Sequence, residues 1–299
     1  MATLLLHGGA GNIEEGDRDA YRAGLREARD AGFAALQEGA DALSAVLIAV
    51  KLMEDNAEAF NAGTGGSPNR DGDVECDAAV MSGWEGSAGA VGAVKRAKNP
   101  VLLAERIRLE SPHVMLVGSA ADAFVIDPVE NDTLLTPRTR QAFATWQREA
   151  HEPSNSATVG GVACDGLGRL AAATSTGGML GKWAGRIGDS PIIGAGTYAD
   201  RVLAVSCTGK GEAFMLAVTG KVLSERVKGR AGLEEAVSAS LAEILQLGGS
   251  GGLICVTADG RIGFGFNSRN MAYAYKTDRL EVTPAELAEI GLEPGVTVI

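Results

Sequence analysis

Two hydroxyl clusters near the middle of the chain carry its strongest chemical signal: Ser156-Ala157-Thr158-Val159-Gly160-Gly161 and Thr174-Ser175-Thr176-Gly177-Gly178. Inside a chain, threonine is a weak nucleophile. At a chain terminus its own α-amino group, with an unperturbed pKa of about 7.7–8.0, can take the hydroxyl proton. Thr158 could act this way only after the Ala157–Thr158 bond is broken. Its hydroxyl would then attack a carbonyl carbon, an oxyanion pocket would hold the intermediate, and water would release the acyl group. This route needs no histidine, which suits a chain whose histidines are His7, His113 and His151.

Further clusters fit such a reaction. The turn signal Asp165-Gly166-Leu167-Gly168 separates two strand-like runs. Pairing Asp165 with Gly168 would set Thr158 opposite Ser175, one step from Thr176. β-Propensity also puts threonines at strand ends, so it is the coincidence of two clusters at one end that points to chemistry. In Gly185-Arg186-Ile187-Gly188-Asp189-Ser190-Pro191 a cation and an anion stand three apart between glycines. Arg186 could fork onto a carboxylate while Asp189 takes an ammonium, together holding an α-amino acid; an exposed loop ion pair is the plainer alternative. Cys207-Thr208-Gly209-Lys210-Gly211-Glu212 follows a strand and opens a helix, where backbone N–H groups and a hydroxyl can hold an anion; the alternative is a simple Gly-rich turn.

Two other patterns fail on context. Gly248-Gly249-Ser250-Gly251-Gly252 has the form of a serine nucleophile elbow and His7-Gly8-Gly9 that of a lipase oxyanion loop, but no histidine follows Ser250. Gly194-Ala195-Gly196-Thr197-Tyr198-Ala199 loosely fits a dinucleotide fingerprint without a βαβ frame.

Periodicity predicts the elements that must position these groups. Leu4–Leu6 reads as a buried strand, 17–36 and 40–54 as helices, 61–70 as a Gly- and Asn-rich loop and 74–81 as a strand. A helix begins at Pro100, and an exposed linker over 131–156 contains another over 137–149. Strands follow at 158–164, 169–175, 202–207, 253–257 and 261–266, with helices at 211–228 and 232–246. This order predicts an α+β fold, not strict βαβ alternation.

The chain has 299 residues, 45% hydrophobic, and a net charge of −11. That charge argues against binding a phosphate backbone, so no nucleic-acid partner is expected. No apolar run approaches membrane-span length, so no membrane partner is expected. Cys76, Cys164, Cys207 and Cys255 match neither a zinc nor a disulfide spacing; with no leader evident ahead of Leu4, a cytoplasmic location is expected.

Taken in order, His7-Gly8-Gly9-Ala10-Gly11, Phe60-Asn61-Ala62-Gly63, Asp77-Ala78, Ser111-Pro112-His113-Val114-Met115, Thr158-Val159-Gly160 and the 173–178, 185–191, 194–199 and 208–212 segments resemble a known family. It is the plant-type (type III) asparaginases and isoaspartyl peptidases, N-terminal-nucleophile (Ntn) hydrolases related to aspartylglucosaminidase. The resemblance covers nearly the whole chain. It implies a single αββα sandwich domain that cuts itself into residues 1–157 and 158–299, usually assembled as (αβ)2. It implies Thr158 as nucleophile, Thr176 as the hydroxyl that tunes it, Asn61 positioning Thr158, and Thr208 with the Gly209 N–H as oxyanion hole. Arg186 would hold the substrate α-carboxylate, with Asp189 and the Gly211 carbonyl on its α-amino group. No cofactor is implied for catalysis, but a structural sodium ion is, on the backbone carbonyls of Phe60, Ala62 and Thr64.

The implied substrates are L-asparagine, at its side-chain amide, and β-aspartyl dipeptides. A glycoasparaginase is the alternative within the fold, though Glu212 favours the first branch, since glycoasparaginases resemble Thr-Gly-Asn-Gly-Asp there. An unprocessed scaffold protein is the alternative outside it. Three departures from the family stand out. Ala157 replaces the usual glycine or aspartate, the linker ahead of Thr158 is short, and Met53–Phe60 is one residue longer and lacks a proline.

Overall fold

The computed structural model describes residues 1–149, 157–278 and 286–299. The end of the expected linker, 150–156, lies outside them. In chain order the elements are β1 (Thr3–Gly11), α1 (Arg18–Gln37), α2 (Ala42–Asp55), β2 (Cys76–Ser82), β3 (Ser87–Val94), α3 (Pro100–Glu110), β4 (Met115–Val117), α4 (Gly118–Asp122) and α5 (Pro137–Glu149). After residue 157 come β5 (Val159–Cys164), β6 (Leu170–Thr176), β7 (Thr197–Ala199), β8 (Leu203–Gly209), α6 (Gly211–Ala217), α7 (Thr219–Lys228) and α8 (Leu233–Gln246). The last are β9 (Gly251–Thr257), β10 (Ile262–Phe266), β11 (Asn270–Thr277), β12 (Glu286–Gly291) and β13 (Gly295–Val298).

Among the described residues these strands form two sheets, ordered β12-β11-β1-β5-β6-β2-β3-β4 and β13-β10-β9-β8-β7. In the larger sheet, strands from before and after residue 157 interleave: β1 lies between β11 and β5, and β6 lies against β2. Apolar side chains gather in three clusters. One joins α1, α2 and α3 to the larger sheet, for example Leu25, Val46 and Ile107 with Leu4 and Val80. A second holds residues of both sheets, such as Leu5 and Val162 with Ile254 and Phe264. The third joins Val205 and Leu253 to Phe214, Leu223 and Val237 on α6–α8. The expected mixed α+β fold is therefore present.

Two helix starts follow local chemistry. Asp41 caps α2, its Oδ1 accepting the Ser44 N–H at 2.7 Å, so the helix starts at Ala42. Pro100 sits in the first turn of α3. The single helix expected over 211–228 is broken at Val218, whose φ of 48° lies in the left-handed region. Two bonds explain the break: the Gly220 and Lys221 N–H groups turn to the Ala195 and Gly194 carbonyls at 3.0 and 2.8 Å.

The β5–β6 hairpin also differs from its expected register. Val159 faces Ser175 and Cys164 faces Leu170. Asp165 closes on Arg169, its N–H donating to that carbonyl at 3.0 Å, and not on Gly168. Gly168, at φ 75°, takes the left-handed position that ends a three-residue hairpin loop. The ladder thus shifts by one residue, and its continuation sets Thr158 opposite Thr176.

Glu54, near the end of α2, is fully buried; burial pushes its carboxyl up to about 8, and Oε1 accepts the Val101 N–H at 2.8 Å. The four cysteines are free and buried. Among the described residues no helix is long and apolar enough to cross a membrane.

Candidate active site

Thr158 lies at the head of β5, mid-sheet, and is 1% exposed. Its N–H donates to Thr208 Oγ1 at 3.3 Å, and its carbonyl lies 3.0 Å from His7 Nδ1. Burial pushes the His7 imidazole down to about 3, so it is neutral at ordinary pH. A carbonyl can only accept, so Nδ1 carries the proton and Nε2 accepts the Ser206 hydroxyl at 2.8 Å. Ser206 in turn lies 2.7 Å from the Thr174 hydroxyl. Only glycine fits at 160, where a Cβ would stand 2.1 Å from Ser206 Oγ and 2.6 Å from His7 Nε2.

The peptide ahead of Thr158 has its own cradle. The register of β1 shifts between His7 and Gly9, a bulge of the kind that re-aims backbone beside functional groups. Gly9 has φ 120°, and a Cβ there would lie 3.0 Å from the Ala157 Cβ. The chain therefore lays Ala157 directly against the Gly9 backbone.

Thr176 ends β6, and its Oγ1 accepts the Gly178 N–H at 2.9 Å. Asn61 works on the same turn. Its Nδ2 donates to the Gly178 carbonyl at 2.7 Å, its own carbonyl accepts the Gly177 N–H at 2.9 Å, and its Oδ1 accepts the Ser67 N–H at 2.6 Å. These bonds direct Asn61 to the turn behind Thr176.

Thr208 and Gly209 end β8. The Thr208 Oγ1 accepts from both Thr158 and Ala10, the latter at 3.2 Å. With two bonds accepted, the hydroxyl still has its own proton to donate. Gly209 has φ 140°, and a Cβ there would lie 2.4 Å from the Ser250 carbonyl oxygen. Two residues on, a Cβ at Gly211 would lie 2.8 Å from Asp189 Oδ1 and 3.0 Å from Arg186 Nη2.

Asp189 is 3% exposed, and burial, above all, pushes its carboxyl up to about 7 against the pull of Arg186. Among the described residues its Oδ2 is buried with no hydrogen-bond partner. Arg186 gives Nε and Nη2 to one oxygen of Glu212, at 3.0 and 2.9 Å. Asp77 ties this loop to the strands: it faces Thr176 across β2–β6, while Oδ2 accepts the Gly188 N–H at 3.0 Å and Oδ1 the Ala93 N–H at 2.8 Å. The expected ligands Phe60 and Ala62 are fully buried; the Phe60 carbonyl accepts from Arg138 Nη2 at 2.7 Å. Thr64 donates its N–H to the Glu54 carbonyl at 3.0 Å.

The fold thus brings Thr158, Thr208 and Gly209 together, and Arg186, Asp189 and Gly211 together, joined through one turn. Sequence reasoning misses the anchoring role of His7 and the strut formed by Asp77. Both stand in motifs visible in the sequence, but their bonds are long-range.

Comparison with known proteins gives the family. Residues 1–283 match the family described as asparaginase. The chain is 41% identical over 287 residues to an isoaspartyl peptidase/L-asparaginase of Mus musculus, covering 92% of this chain and 87% of that one. It is 39% identical over 302 residues to an isoaspartyl peptidase of Salmonella typhimurium, covering 93% and 96%. It is 37% identical over 305 residues to a plant-type L-asparaginase of Pyrococcus horikoshii, covering 94% and 98%. The chain belongs to this asparaginase family of hydrolases, with the isoaspartyl peptidases and plant-type L-asparaginases.

Proposed function

We propose that the chain cuts itself between Ala157 and Thr158 and then hydrolyses β-aspartyl bonds, with Thr158 as the N-terminal nucleophile of an αββα domain. The reading is carried by one observation. The 208–211 turn touches Thr158 at one end and the Arg186/Asp189 pair at the other. A nucleophile and a clamp for an amino acid's two charges therefore sit at the ends of one short rigid segment. The three apolar clusters support the helix–sheet–sheet–helix layering.

In the uncut chain the Thr158 hydroxyl attacks the Ala157 carbonyl carbon. The acyl group passes from nitrogen to oxygen, and water hydrolyses the ester. This leaves a carboxylate on Ala157 and an amine on Thr158. In turnover Arg186 takes the substrate α-carboxylate, while Asp189 Oδ2 and the Gly211 carbonyl take the α-ammonium. The β-carbonyl oxygen meets the Thr208 O–H and Gly209 N–H, donors fixed before charge develops. The Thr158 amine accepts the hydroxyl proton and passes it to the leaving nitrogen; water then frees aspartate from the ester.

The test is a substrate panel for the matured protein. Asparagine and β-aspartyl-leucine should turn over at least about tenfold faster, by kcat/KM, than N-acetylglucosaminyl-asparagine. Glycosyl-asparagine as best substrate would move the protein to the glycoasparaginase branch, and no turnover of any would sink the reading.

Asp189 makes a separate pH prediction. Its value in the fold lies above the ordinary one, so ionising it costs stability as pH rises through about 7, a cost that a bound ammonium offsets. Binding product L-aspartate below pH 7 must then expel a proton. Calorimetry at pH 6 in buffers of different ionisation enthalpy should show nearly one proton released per aspartate bound, and almost none at pH 8.5. Proton release that does not change with pH would remove Asp189 from the ammonium site.

A further inference from the structure

The loop that should carry a sodium ion already holds a cation of the chain's own. Arg138 Nη2 donates to the Phe60 carbonyl at 2.7 Å and approaches the Gly65 carbonyl at 3.4 Å. The Ala57 carbonyl borders the same spot: a Cβ at Gly65 would lie 3.1 Å from the Phe60 oxygen, 3.3 Å from Nη2 and 3.6 Å from the Ala57 oxygen. Of the three carbonyls that the resemblance assigns to the ion, that of Phe60 is the one Arg138 holds, and a sodium ion bound there would sit beside a guanidinium that repels it. The Glu54 carbonyl, near the end of α2, accepts the Thr64 N–H.

The guanidinium is held there deliberately. Arg138 sits in the first turn of α5, where the positive end of the helix disfavours a cation, so its position needs support from elsewhere. That support is a reciprocal cap: Thr136 donates its N–H to Thr139 Oγ1 at 2.9 Å, and Thr139 donates its N–H to Thr136 Oγ1 at 3.3 Å. Beside it the Gly65 N–H donates to the Leu134 carbonyl at 2.8 Å. The segment 134–138 and the loop 60–65 are thus strapped by backbone and side chain together. The longer, proline-free stretch before Phe60 turns around Asn56, whose Oδ1 accepts the Glu58 and Ala59 N–H groups at 3.0 and 3.1 Å.

We infer that Arg138 takes the place of the sodium ion, so that the 57–65 loop is held by a covalently attached cation and binds no alkali metal. The loop shapes the site through Asn61, so its order becomes independent of the salt present. This holds whether or not the proposed reaction is right, because the readouts below are not activities.

The experiment measures the unfolding midpoint of the full protein in sodium, potassium and choline chloride at equal ionic strength. It also measures 23Na line width with and without protein. Expected are midpoints within about 1 °C of one another and no saturable broadening by wild type. Arg138→Met should lower the midpoint by several degrees, and Arg138→Lys by less. A wild-type midpoint that rises saturably with sodium or potassium over choline, or saturable 23Na broadening, overturns the inference. So does an Arg138→Met protein as stable as wild type. The line width of wild type decides the matter even if Arg138→Met does not fold.

Discussion

Replacing Thr158 by alanine is expected to leave one uncut chain and to abolish hydrolysis. Wild type should resolve under denaturing conditions into residues 1–157 and 158–299, the second beginning Thr-Val-Gly-Gly. The substitution keeps the Cβ and both backbone bonds, from His7 to the Thr158 carbonyl and from the Thr158 N–H to Thr208, so the fold should survive. What is lost is the attacking oxygen. Loss of a covalent nucleophile costs on the order of 10⁴-fold or more in turnover, and here the same atom would cut the chain. Thr158→Ser restores a hydroxyl and should recover both events, more slowly. Gel electrophoresis and N-terminal sequencing check the first event, and ammonia release from asparagine the second. If Thr158→Ala is still cut at 157–158, this nucleophile assignment fails.

Arg186→Ala should separate the two events. Arg186 bonds Glu212 and neighbours Gly188 and Gly211, while the 157–158 peptide lies against Gly9 and Thr208 and His7 holds the peptide that follows it. Cleavage should therefore proceed at a rate close to wild type. Turnover should not. Truncating one partner of a buried, hydrogen-bonded charge pair costs roughly 2–5 kcal/mol, a loss of about 30- to 5,000-fold in kcat/KM. Lysine keeps the charge but cannot fork, so Arg186→Lys should fall in between. Kinetics on asparagine, together with gels of the fresh proteins, read both. An uncut Arg186→Ala protein would make the arginine a structural residue.

Much of the fold is legible in the sequence. Helices 18–37, 42–55, 100–110 and 137–149 follow from apolar spacing, Asp41 and Pro100, because a capping group and a 3.6-residue stripe are local facts. Thr158, Arg186, Asp189 and the 208–211 turn stand out as candidates because the chemistry they suggest depends on type and spacing. What escaped is long-range or small. β3, Ser-Ala-Gly-Ala-Val-Gly-Ala-Val, has few strand-forming side chains; a Cβ at Gly89 would lie 2.1 Å from the Ala104 carbonyl of α3, so the close approach of that helix sets its composition. The hairpin register missed by one, since a two-residue and a three-residue loop differ only in which residue Asp165 faces. The break at Val218 answers carbonyls more than twenty residues away in sequence. The role of His7 rests on partners at 158 and 206, which no local pattern announces.

The interleaved strand order has a consequence for how such a protein can be made and lost. Before a cut at 157–158, β1 finds its place beside β5 within one molecule. After it, β1 and β2 belong to one polypeptide, and the β5 and β6 between them to another. Native, the pieces cannot part without tearing the centre of the sheet. Once unfolded, they meet again only by collision, so refolding becomes second order and slows with dilution, while the uncut chain refolds at a rate that dilution does not change. Maturation would act as a kinetic ratchet: folding happens once, in one chain, and what the cut leaves persists by the slowness of its unfolding.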